Sequence, residues 1–343
     1  MLYLAIPAQN EVATIGVLLW RLRTVLAEFP REYEVVVYDD ASTDATREAT
    51  IGRLMQGAID LHIHPGPSLM PRAVDHIEAV QQAAEAGMRA VLLKDHYYPT
   101  MPIAHLINKH HAAGCEAIGA IVLNNPVGGL NPSAVDYALK QGARVVWMAT
   151  AHAQNHIDHD KKDADFKNKF PVNSRKTVEP IGCTLIDDSG EVRDEVKQIL
   201  DLIAEADAAV SGGHHHISEC IPFYEEAKRR GVKRLFLNHP TYVNEGSFQD
   251  IQQLTRMGVA MEHSICMFIP SAFQQFDAEH LRAVIAAGGV ERSFFGSDLG
   301  QKGNPTPVSG FRQIIAMLLD LGFDEAAIRR MVSTNAANLL DLH

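Results

Sequence analysis

From Gly57 onward the chain repeats one alternation: a short, almost unbroken apolar run, a polar loop, then an amphipathic stretch. The apolar runs are AIDLHIH (58–64), RAVLLKDH (89–96), CEAIGAIVLNN (115–125), ARVVWMAT (143–150), ADAAVSGGHHH (206–216), VKRLFLNHP (232–240), GVAMEHS (258–264) and RSFFGSDLG (292–300). Apolar runs without strict alternation are expected of strands covered on both faces, as in parallel sheets. The stretches between them have helical spacing. In 71–87, Val74, Ile77, Val80 and Ala84 share a face and Gly87 follows as a C-cap. Segments 191–206, 217–231, 247–258 and 277–289 follow the same pattern. Eight such units predict an α/β fold, a (β/α)8 TIM barrel. A doubly wound open sheet is the alternative, because the pattern does not show closure.

One connection is much longer than the rest. Residues 151–190 are polar and Lys-rich, and a loop of that length predicts a lid or binding loop. Within it, CTLIDDSGEV predicts a small hairpin turning at Asp188-Ser189-Gly190.

Composition narrows the partners. The 343 residues are 46% hydrophobic and 21% charged, which suits a globular enzyme. A net charge of −11 argues against nucleic acid and anionic membranes. The four cysteines have no CxxC spacing and predict reduced thiols. No apolar run reaches the ~18 residues of a membrane span, and MLYLAIPAQNE lacks the basic start of a signal peptide. The expectation is a cytoplasmic protein with a small-molecule substrate, no nucleic-acid or membrane partner, and helix faces that allow a homo-oligomer.

The first fifty residues depart from the repeat and read as strand, helix, strand. Ile6-Pro7-Ala8-Gln9-Asn10-Glu11 and Tyr38-Asp39-Asp40-Ala41-Ser42-Thr43-Asp44-Ala45-Thr46 resemble the opening of a family 2 glycosyltransferase. In that family these segments help hold a nucleotide-sugar donor. The resemblance ends near Ala49, before the DxD and catalytic carboxylate that such an enzyme needs. It therefore implies a truncated glycosyltransferase-like segment over 1–50, a β-α-β appendage to a barrel domain over 51–343. Glycosyltransfer is kept as an alternative function on these residues alone.

Candidate chemistry lies at the strand ends. His62 and His64 alternate on the first barrel strand and so share a side, with Asp60 one step deeper. In a barrel that side is the interior near the C-terminal mouth, where active sites are built. Two inward imidazoles are natural ligands for a divalent ion. Further along, the fifth strand offers His214, His215 and His216, the sixth His239 and the eighth Asp298. HxH, His, His and Asp on strands one, five, six and eight resemble the amidohydrolase superfamily over 57–343, and residues 333–340 are similar to its closing helix. IDLHIHPGPS, AVLLKDH, IVLNNPVGGLNP and VVWMAT resemble an uncharacterised group of predicted metal-dependent hydrolases, a domain of unknown function.

That resemblance implies a hydrolase in which a metal-activated water attacks a small amide, lactone or ester. His62 and His64 would bind one ion with Asp298, which also accepts and passes the proton. His216 and His239 would bind a second, with His214 left open as the fifth-strand ligand. One or two divalent ions per chain are implied, zinc foremost, manganese or iron otherwise. Strand four has no Lys or Glu to bridge them. The candidate bridge is Lys94, as a carboxylated or a free lysine, with a salt-bridged barrel lysine as the structural alternative. A single-metal decarboxylase or hydratase therefore stays open. Asn124, His96, His152 and His214 are the candidate substrate contacts. Glu262 and His263 fit site and packing roles equally, and His105, His110 and His111 are expected on a helix surface.

Overall fold

The computed structural model describes residues 2–11, 14–26, 29–30, 33–39, 46–111, 114–162 and 178–342. The middle of the long connection and the turn at 40–45 therefore lie outside the described residues. The chain divides into two compact units, Met1–Met55 and Gln56–His343.

The first unit contains β1 (Leu2–Ala8), α1 (Ile15–Leu26), β2 (Tyr33–Asp39) and α2 (Thr46–Met55). β1 and β2 pair in parallel from Leu2↔Tyr33 to Ala8↔Asp39. α1 buries none of its residues.

The second unit is the predicted (β/α)8 barrel. Its strands are β3 (Ile59–Ile63), β4 (Ala90–Leu93), β5 (Glu116–Val122), β6 (Val145–Trp147), β7 (Ala209–Ser211), β8 (Arg234–Asn238), β9 (Ala260–Ser264) and β10 (Ser293–Gly296). They form one sheet in chain order, every neighbouring pair parallel. The ends meet through a parallel bridge between Ile63 and Leu299. Asp298 N donates to His62 O at 2.7 Å and His64 N donates to Leu299 O at 2.8 Å, which closes the barrel.

Side-chain alternation sorts the strands into two layers. Trp147, Phe236 and Phe294 meet edge to face inside the barrel, at ring separations of 5.6 and 5.7 Å. Residues of the other parity, Val146, Val210, Leu235 and Leu237, join Val196, Ile199, Phe223 and Ile251 in the core beneath the helices. The helices start where the sequence provides caps. Asp75 and Glu78 form a capping box at α3 (His76–Glu85), and Ser247 and Asp250 form another before the helix Phe248–Arg256. The expected hairpin is present as an antiparallel bridge from Ile186 to Val192, with Gly190 N donating to Asp187 O. His105, His110 and His111 are exposed, as anticipated. The cysteines are free thiols. Among the described residues no helix is long and apolar enough to cross a membrane.

Candidate metal centre

The strand-end residues converge at one point of the barrel mouth. Asp298 Oδ1 lies 2.9 Å from His64 Nε2 and 3.2 Å from His62 Nε2, and its Oδ2 lies 3.5 Å from His239 Nε2. The two Nε2 atoms of His62 and His64 are 3.2 Å apart. His62, His239 and Asp298 each offer a donor atom within 4.8 Å of the others.

The far side of each ring explains why these nitrogens face inward. His62 Nδ1 donates to Glu262 Oε1 at 2.6 Å, and His64 Nδ1 donates to the carbonyl of Lys94 at 3.0 Å. Ser264 Oγ donates to the same Glu262 oxygen at 3.0 Å, so it accepts from His239 Nδ1 at 2.9 Å. All three rings are thereby oriented with Nε2 toward Asp298, the orientation metal-binding imidazoles use. The donor set of three imidazoles and a carboxylate fits a divalent cation.

Electrostatics agree. Burial works against the His62 cation, yet Asp298 and Glu262 push its imidazole up to about 9. Burial pushes His64 down to about 3 and His239 to about 4. Burial opposes ionisation of Asp298 as well, but His62, His64 and His239 hold its carboxyl well below the usual range. His239 and Asp298 both have left-handed backbone, with φ of 53° and 52°. Non-glycine residues in that region are strained, and such strain clusters at functional sites.

Lys94 also reaches the centre. Its Nζ is 2.8 Å from His62 Nε2 and 4.9 Å from the centroid of the Trp147 ring. Burial pushes this ammonium down to about 8, with Asp298 and Glu262 opposing.

Three residues sit differently from the sequence expectation. His216, the preferred fifth-strand ligand, faces away: it caps the helix Ile217–Arg229, pairs with Ser218 at 2.8 Å and keeps 38% of its side chain exposed. The inward residue is His214, whose ring lies 5.1 Å from that of His239. The strand count fails because β7 stops at Ser211 and the chain turns at Gly213 (φ 66°). Asn124 is not available to a substrate. Its amide donates to His96 O and Thr150 Oγ1, and its carbonyl accepts from the backbone N–H of Thr150 and His152. It ties the ends of β5 and β6 together instead. His152 does not line the cavity above the centre; its backbone is bound to Asn124 and Cys183. His96 does line it, stacked 4.8 Å from His64 and held by Thr150.

That cavity encloses about 560 Å³ of empty space, open solvent included. Its lining adds Arg72, Cys266 and Gln301, which the sequence pattern did not single out. His214 Nε2 is buried without a partner, while its Nδ1 meets His156 Nδ1 at 2.9 Å.

Residues 57–262 match the model of a family described as a family of unknown function, DUF6282. No curated protein matches the sequence. Among solved structures, an amidohydrolase from Pseudomonas aeruginosa is similar with a TM-score of 0.57 at 11% identity, over 86% of this chain and 98% of its own. A probable dipeptidase, PvdM, from the same organism is similar with a TM-score of 0.56 at 12% identity, over the same shares. At these identities the likeness shows the barrel fold. No comparison supports the glycosyltransferase resemblance of residues 1–50.

Proposed function

The chain belongs to this family of unknown function, and we propose that it is a metal-dependent hydrolase of the amidohydrolase type, acting on a small amide, lactone or ester. One observation carries the reading: three imidazoles, each held through Nδ1, present Nε2 to a single partly buried carboxylate at the barrel mouth. His62, His64 and Asp298 would hold one ion, and His239 with His214 a second. Zinc suits imidazole and carboxylate donors, with manganese or iron as alternatives. When bound, such an ion supplies Lewis acidity and lowers the pKa of a water toward neutrality.

The chain's own residues supply the proton chemistry. Asp298 is ionised at neutral pH, so its carboxylate accepts a proton from the attacking water and returns it to the leaving group. His64 and His62 hold Oδ1 in place while Oδ2 faces His239. Met70, Met267 and Phe273 wall the cavity and limit access of bulk water.

Lys94 bears on the number of ions. Carboxylation requires a neutral amine, and an ammonium pushed down to about 8 reaches that form at far lower pH than an ordinary lysine. A carboxylated Lys94 would bridge two ions. As a plain ammonium it favours a single-ion site, and with it the second reading, a decarboxylase or hydratase. Intact mass and metal stoichiometry separate these readings.

The main test is direct. His62→Ala and His239→Ala should each lose metal and turnover on a panel of amides, lactones, esters and phosphoesters. Full metal occupancy in both variants would sink the proposal.

A further inference from the structure

Beyond the ligands, the cavity wall is apolar, formed by Met70, Val243, Met267 and Phe273, and one guanidinium is set into it. That guanidinium belongs to Arg72, in the loop after β3. Its Nη2 donates to Ser68 Oγ at 3.2 Å and its Nη1 to the sulfur of Met70 at 3.6 Å. Among the described residues its Nε–H is buried with no partner. Asp95 is its strongest electrostatic neighbour, yet the two form no ion pair, and Asp95 Oδ1 accepts from Tyr97 N at 2.8 Å. The guanidinium therefore has carboxylates nearby but none in direct contact, and a ligand carboxylate would give it the paired hydrogen bonds it lacks.

A second residue beside it has the complementary need. Gln301 faces Arg72 across an antiparallel bridge and lines the same cavity. Its amide donates to Asp298 O at 3.0 Å, while its Oε1 is buried with no partner among the described residues. A spare cationic donor and a spare acceptor therefore stand side by side, next to Asp298.

We propose that Arg72 and Gln301 form a carboxylate subsite, and that the substrate is a small N-acyl amino acid or a related lactam carboxylate. Arg72 pairs with the carboxylate, and Gln301 Oε1 accepts from the adjacent N–H. The apolar side chain of the substrate packs on Met70, Val243, Met267 and Phe273. A fully ionised phosphoester fits less well, because its oxygens would face the Gln301 acceptor with no hydrogen to offer. The identity of the cleaved bond rests on the hydrolase reading; recognition of the carboxylate does not.

The test is calorimetric titration of the full, zinc-loaded chain with the N-acetyl derivatives of glycine, leucine and phenylalanine. Each acid is compared with its primary amide and with its N-methyl analogue, and inorganic phosphate is the competing anion. At least one acid should bind roughly 10- to 100-fold more tightly than its amide, as expected for a charged hydrogen bond. It should also bind more tightly than its N-methyl analogue, and phosphate should be no better than the amide. Arg72→Met should abolish the preference for the acid with metal content unchanged, and Arg72→Lys should restore part of it. Equal binding of acids and amides by the wild-type protein overturns the proposal, whether or not the variants fold. So does a preference that survives Arg72→Met, or phosphate binding more tightly than every acid. An acid preference in a protein that hydrolyses none of these compounds supports the subsite and counts against the hydrolase reading instead.

Discussion

Glu262→Gln isolates the residue that orients the metal centre without touching the metal ligands' donor atoms. Glu262 is fully buried, and one of its oxygens accepts from both His62 Nδ1 and Ser264 Oγ. Gln has nearly the same volume, so packing is preserved. If its carbonyl faces His62, a charge-assisted hydrogen bond becomes a neutral one, a loss of about 1–1.5 kcal/mol. If its amide faces His62, two donors meet, and the imidazole must move its proton to Nε2 and surrender the lone pair. The expected result is a metal affinity about 10- to 100-fold lower, the range seen for partners of ligating histidines. Competition against a chelator of known affinity measures this. The melting temperature of the metal-free protein controls for folding. Wild-type metal affinity in a folded Glu262→Gln protein would refute the claim that this carboxylate sets the ligand geometry.

Asp298→Asn should keep the left-handed turn, since Asn tolerates positive φ, but remove the proton acceptor. Turnover should fall by roughly two to four orders of magnitude; a loss of only a few-fold would take Asp298 out of the proton path. At Gly213, φ is 66° and an added Cβ would sit 2.3 Å from Ala149 O. Gly213→Ala should therefore cost about 2 kcal/mol or more, read from the denaturation midpoint, and displace His214. Glu219 accepts from Leu185 N, and although burial opposes ionisation, His215 holds its carboxyl below the ordinary 4.5. A depressed carboxyl contributes stability above its unfolded pKa and loses it as pH falls through the folded value. Glu219→Gln should thus flatten the acid limb of the stability curve below about pH 4.5, and an unchanged limb would count against the His215 interaction.

The barrel was legible because each strand is buried on both faces and so appears as an unbroken apolar run, of which β3 is the clearest case. His62, His64, His239 and Asp298 were legible for a related reason: a polar residue directly after such a run has to face the mouth. The same counting failed at His216, since β7 is only three residues long and a left-handed glycine resets the direction of the chain. It also misjudged Asn124, which follows an apolar run but spends its whole amide on neighbouring backbone and Thr150. Glu262 stayed ambiguous because its role depends on His62, two hundred positions away. Arg72 and Gln301 had no signal, since only the bridge between two distant loops brings them together.

The hydrogen bonds that close the barrel are also the ones that assemble the site. Asp60 Oδ1 accepts from His62 N on its own strand and from Ser297 N on the far edge of the sheet. Ser297 Oγ and Asp298 N both donate to His62 O, while His64 N donates to Leu299 O. Gly300 makes that last approach possible, because a Cβ there would lie 2.2 Å from His64 O. The position of Asp298 is thus fixed by the seam, not by its own side chain. It follows that the family-matched segment, residues 57–262, carries the histidines, Lys94 and Glu262 but neither the carboxylate on which they converge nor the strand that closes the sheet. Residues 263–342 supply both. The smallest unit able to carry the proposed chemistry is therefore the whole barrel, since the element that completes the ligand set is the one that completes the fold.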